Sequence, residues 1–124
     1  MPEKKHLKCM SWLLITALLA GLCSAETLSS RYIGTDEIRP GMKAWCLTVY
    51  EGTRIEKFDL EVLSVVRDFR PGRDAIMVKG TDERFLHTGP VAGCSGSPVY
   101  IEGRLAGALA FGWSFSKDPL YGVT

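Results

Sequence analysis

Along residues 57–66, KFDLEVLSVV, apolar Phe58, Leu60 and Val62 alternate with Lys57, Asp59 and Glu61. A period of two predicts a strand with one face buried and one in water, with Ser64 continuing the inner set and Leu63 the outer one. KAWCLTVY (43–50) is rich in aromatic and β-branched residues and stops at EGT, so it reads as a second strand. AIMVKG (75–80), SPVYI (97–101) and RLAGALAFG (104–112) add three more, with RDFRPGRD as a turn before the first of them. Glu102-Gly103 separates the last two runs, a two-residue hairpin signal even though Glu is less favoured than Asn or Asp at its first position. The small residues of LAGALAFG imply that another backbone or a ligand comes close to that strand. Upstream, ETLSSRYIGTDEIRPGM has little periodicity. Residues 26–35 read as a polar lead-in, with Thr35 capping a single helical turn at TDEI and Pro40-Gly41 closing it. TDERFLHTG reads as a charged loop, and PLYGVT as an extended apolar end without a closing turn. The pattern predicts a mainly β, antiparallel domain over 36–124: one barrel or an open half-barrel, whose unpaired edges would invite a second chain to complete the sheet.

The first 25 residues have a different character. Lys4, Lys5 and Lys8 precede the apolar SWLLITALLAGL, and Cys23 and Ala25 offer a small-x-small exit. These are the three parts of a secretory signal peptide, here with a predicted helical core and cleavage after Ala25. The alternative is an uncleaved anchor, which would be the chain's only tie to a membrane. A lipoprotein signal would need a small residue before Cys23, where Leu22 stands. The expected location is extracytoplasmic: secreted, periplasmic or in the cell envelope.

Removing this segment changes the charge. Lys4, Lys5, Lys8 and Glu3 leave with it, so the 15 basic and 14 acidic side chains become 12 and 13, a net −1. Such a surface gives nucleic acid no polycationic footprint. About a hundred remaining residues bury one modest core. Cys46 and Cys94 are the cysteines left, and outside the cytoplasm they form a candidate disulfide, the simpler reading being two small buried thiols. With no C-x-x-C and only His87 left among the histidines, neither a metal nor an organic cofactor is expected.

The candidate chemistry sits in GCSGSP, residues 93–98. A nucleophilic serine needs a hydroxyl projecting from a tight turn, amides aimed at the developing oxyanion, and a base. Gly93 and Gly96 permit such a turn around Ser95, and the N–H groups of Gly93 and Ser95 are the candidate oxyanion donors. By itself the hexapeptide reads more simply as an ordinary Gly/Ser/Pro turn between strands. The downstream order of strand, tight hairpin and second strand resembles that of chymotrypsin-like proteases, with their G-x-S-G-x-P turn. That resemblance implies that Ala110, Phe111, Gly112 and Trp113 border a substrate groove where the backbone pairs with an extended peptide. Trp113 reads equally as pocket wall or core.

A longer likeness follows. DEIRPGMKAWCLTVYEGTRIEKFDLEVLSVV, PGRDAIMVK, HTGPVAGCSGSPVYIEGRLAGALAFGW and the terminal GVT resemble the stage IV sporulation protein B (SpoIVB) peptidase family, over about Asp36–Thr124. The resemblance implies a secreted or envelope serine endopeptidase with a chymotrypsin-like β fold, a polypeptide substrate and Ser95 as nucleophile. Cys94 stands where the family's similar turn, G-M-S-G-S-P, has Met. Family members with this arrangement carry a further G-H motif beyond the last residue here, so the expectation is a partial domain. His87, eight residues before Ser95, is the candidate base within the chain. Asp74, Asp82 and Asp118 read equally as acids orienting a histidine or as turn and surface charges. Two rivals stand beside the peptidase: a catalytically silent peptide- or protein-binding module of the envelope, and a structural domain in which GCSGSP is only a turn.

Overall fold

The computed structural model describes residues 30–89, 93–113 and 115–124. The chain divides into Met1–Arg31, of which only Ser30 and Arg31 are described, and a unit spanning Tyr32–Thr124. The expected signal peptide lies outside the described residues; among them, no helix is long and apolar enough to cross a membrane.

Six strands and one short helix follow in order: β1 (Lys43–Val49), β2 (Ile55–Arg70), β3 (Arg73–Gly80), α1 (Glu83–Thr88), β4 (Pro98–Ile101), β5 (Arg104–Gly112) and β6 (Leu120–Val123). Every pairing is antiparallel, and the order β1-β2-β3-β6-β5-β4 closes because β4 pairs back onto β1. The fold is therefore the barrel, not the open half, and β6 completes it. β6, the apolar PLYGVT stretch, fills the gap between β3 and β5, with Ile76 opposite Val123 and Leu109 opposite Val123 on the other side. Thr124 then exchanges both backbone hydrogen bonds with Ala108, at 3.0 and 3.1 Å. Closure of this kind removes exposed strand edges.

Alternation sets the interior. Phe58, Leu60 and Val62 of β2 are buried, while Lys57, Asp59 and Glu61 face water. They meet Ala44 and Cys46 of β1, Val78 of β3, Val99 and Ile101 of β4, Leu109 of β5, and Tyr121 and Val123 of β6 in one core. On the outside of the β1–β4 seam, Trp45 lies directly opposite Tyr100; their rings stack at 4.2 Å, and the Lys57 ammonium lies 5.0 Å over the indole. Such directly opposed aromatic pairs help fix strand register.

Several expectations change. RDFRPGRD is not a long turn: β2 and β3 run into it and leave only Pro71-Gly72 between them. Glu102-Gly103 is the hairpin loop expected, with positive φ at both residues (51° and 79°), the geometry that matches strand twist. TDEI forms a turn and no helix. The lead-in is less polar in place than in sequence, because Ile33 joins the core, as does Ile38 just after it. TDERFLHTG holds helix α1: the Asp82 carboxylate accepts the Arg84 N–H as N-cap, and buried Phe85 stacks on Phe58 (4.5 Å) and meets Tyr121 (5.4 Å). The Arg84 guanidinium lies 3.8 Å over the Phe58 ring and bonds Asp82 and Glu56, fastening α1 to β2.

Candidate active site

Cys94 through Ser97 form a tight turn in which the Ser97 N–H donates to the Cys94 carbonyl at 3.1 Å. Gly96 occupies the third position with φ +86°, and Gly93 precedes the turn with φ +99°, both in the region that favours glycine. The second position is Ser95. Inside and outside alternate sharply here: Cys94 is buried in the core, Ser95 and Gly96 are exposed, and Ser97 is buried again. The turn is fastened to β5 by two backbone bonds, Gly96 N–H to the Leu109 carbonyl (2.7 Å) and Leu109 N–H to the Ser97 carbonyl (3.0 Å). Among the described residues, the N–H groups of Gly93 and Ser95 have no hydrogen-bond partner. Both amides lie along the turn that exposes Ser95.

Ser95 opens onto a cleft of about 440 Å³. One wall is the turn, through Gly93, Ser95, Gly96, Ser97 and Pro98; the other is the far end of the β1–β2 ribbon, Leu47, Thr48, Val49 and Ile55. Val49 and Ile55 are register partners, and both are exposed, at 46% and 69%. None of the described residues lining this cleft carries an ionisable side chain.

The segment Ala110–Trp113 does not line the cleft; it continues β5 past Leu109, the residue that anchors the serine turn. Ala110, Gly112 and Trp113 are exposed and Phe111 is half-buried. From Phe111 to Gly112 the strand pairs with β6, and among the described residues its opposite edge has no partner. Trp113 and Phe111 both lie over Gly122, so the indole is a partly exposed cover on β6, not part of the barrel interior.

His87 is placed elsewhere. It is exposed in the last turn of α1 and lines a separate cavity with Glu83 and Leu86. The three aspartates have other work. Asp74 accepts from the Asp68 N–H (3.1 Å), Arg67 (2.6 Å) and Thr35 (3.0 Å), and these bonds, that from Asp68 foremost, hold its carboxyl below the usual carboxylate range. Asp82 caps α1 and is lowered chiefly by the Arg84 side chain. Asp118 pairs with Lys79 at 3.0 Å.

The candidate Cys46–Cys94 bridge is not formed: both thiols are free and buried. Burial, and then the neighbouring Cys94 sulfur, push the Cys46 thiol up to about 12. Two small apolar-like groups filling the core beneath the serine turn account for both residues. Sequence reading missed Leu109 as the anchor of the turn, and Val49 and Ile55 as its facing wall. The signal for the latter was two β-branched residues placed symmetrically about the 50–54 turn.

Among the described residues no cluster of His, Cys, Asp or Glu is arranged to hold a metal ion. No curated protein and no solved structure matches the chain. The family model described as SpoIVB peptidase S55 matches residues 24–124, a span that takes in the whole barrel, the serine turn and the β5 edge. The chain belongs to the SpoIVB peptidase S55 family.

Proposed function

We propose that this domain is an extracytoplasmic serine endopeptidase unit that binds an extended polypeptide along the free edge of β5 and attacks it with Ser95. The observation that carries the reading is the exposed Ser95 at the corner of a turn whose neighbouring amides, Gly93 and Ser95, are unpaired among the described residues. In the reaction the Ser95 Oγ–C bond forms as its proton passes to a base. The carbonyl oxygen becomes an oxyanion facing the two N–H groups, and the C–N bond then breaks as the base returns the proton to the leaving amine. Water repeats the sequence to release the acid and restore Ser95. Removing one oxyanion donor in such sites costs about 10²–10³ in rate. The base comes from outside the cleft's described lining: His87 is the candidate among the described residues, and a histidine supplied from outside them is the alternative.

A specific observation favours a second reading. A cleft with no ionisable side chain among its described lining is suited to holding a peptide without cutting it, which makes the domain a peptide-binding module. A fluorophosphonate probe on the full chain separates the two. Labelling that disappears in Ser95→Ala and persists in Cys94→Ala supports the peptidase; folded protein that takes no label supports the module. His87→Ala tests the base, since loss of labelling there assigns it and unchanged labelling removes it.

A further inference from the structure

The cleft beside Ser95 has one chemical character. Leu47 and Val49 close it from β1, Ile55 from β2 and Pro98 from β4, and among its described lining only hydroxyl and backbone groups are polar. Val49 and Ile55 stand opposite each other in register, and their side chains remain exposed where the β1–β2 ribbon approaches the serine turn. Apolar side chains lining a concave opening, with a few polar groups among them, are the usual make-up of a ligand-holding cleft. A charged side chain entering this space would meet no ionisable partner among its described lining. Its volume, about 440 Å³, lies in the range of ligand-holding clefts and exceeds what one side chain fills, so the wall accommodates a branched or long apolar group together with its backbone.

We infer that this cleft is a specificity pocket for an uncharged aliphatic side chain of the bound polypeptide, adjacent to the bond presented to Ser95, with Val49 and Ile55 as its selecting residues. The inference rests on the proposed peptide-binding role of the same site. It assigns Ser95 and its amides to chemistry and the β1–β2 wall to selection, on opposite sides of one opening. Because the selecting residues sit on the ribbon end and not on the turn, selectivity is separable from reactivity. Discrimination between Leu and Ala at such a position amounts to about tenfold or more.

The test uses the full chain and capped tetrapeptides that differ at one scanned position, carrying Leu, Ala, Lys or Asp. Methyl resonances of Leu47, Val49 and Ile55 report binding, and fluorophosphonate labelling is measured in parallel. The expected result is movement of those methyl signals by the Leu peptide, with affinity about tenfold or more above the Ala, Lys and Asp peptides. Ile55→Asp is expected to abolish the Leu preference and favour Lys. The milder Val49→Thr weakens Leu binding, which keeps the test open if Ile55→Asp fails to fold. Equal affinities, or shifts confined to residues away from the β1–β2 wall, overturn the inference. So do shifts that appear with protein concentration alone, which would make a second copy of the chain the occupant. Selective binding without labelling upholds the pocket and removes the nucleophile; labelling without selectivity does the reverse.

Discussion

The backbone N–H of Gly96 donates to the carbonyl of Leu109 at 2.7 Å. This bond joins the residue after the candidate nucleophile to Leu109, the last β5 residue paired on that side among the described residues. One contact therefore fixes the position of Ser95 relative to the strand along which a substrate would lie. Preorganisation of this kind matters because misplacing a reacting group by about 1 Å can cost about 10²-fold in rate.

Gly96→Ala tests that arrangement. No atom lies within 4 Å of the added methyl, so the penalty is conformational alone, at φ +86°. A cost of about 1–2 kcal/mol is expected, read as a lower urea midpoint, with fluorophosphonate labelling of Ser95 reduced more than stability requires. Unchanged labelling would show that the turn's shape does not control the hydroxyl.

Phe85 is the one apolar residue that α1 places fully in the core, against Phe58 and Tyr121. Phe85→Ala is expected to cost about 3–5 kcal/mol, with the thermal midpoint falling by roughly 12 °C or more. A thermal scan followed by circular dichroism measures it.

Asp74 and Asp82 both have carboxyls held below their ordinary value by hydrogen bonds made in the folded state. A group depressed on folding binds its proton more readily when unfolded. Its stabilisation is therefore complete above the unfolded value, about 3.9, and fades as pH falls through the lower folded value. Urea midpoints are expected to hold between about pH 7 and 5 and to drop below about pH 4. Asp82→Asn keeps a capping oxygen and is expected to flatten part of that drop, while Asp82→Ala also removes the cap, a loss of about 1 kcal/mol at neutral pH.

The buried Cys46 thiol, with its proton held up to about 12, is expected to resist iodoacetamide at pH 8 in the folded protein and to react once guanidinium unfolds it. Peptide mapping by mass spectrometry reads Cys46 and Cys94 separately. Rapid native alkylation of Cys46 would contradict its place in the core.

Much of the fold was legible where side-chain period and strand geometry coincide. Lys57–Val62 alternates in sequence and in space, and Glu102-Gly103 carries its turn chemistry in two adjacent residues. Legibility failed where burial is not periodic. Ile33 and Ile38 are isolated apolar residues that enter the core singly, and Phe85 is the one buried apolar residue of the docked helix in a charged stretch, although Asp82 followed by Glu83 was a readable N-terminal signal. Barrel closure was not legible, since pairing of β6 between β3 and β5 joins segments more than 40 residues apart in sequence on one side. In the candidate site, the exposed position of Ser95 follows from the glycines around it. The wall formed by Val49 and Ile55 depends on register between two strands, which one strand's sequence does not state.

The central claim is that Ser95 and the amides of Gly93 and Ser95 form one acyl-accepting site. A crystal structure of the chain with a peptide boronic acid bearing a leucine side chain tests it most directly. The expected result is a covalent bond from Ser95 Oγ to boron, with a boronate oxygen within hydrogen-bond reach of both amides. Boron bonded to another residue, or a crystal soaked with the compound in which Ser95 stays unmodified, would contradict it.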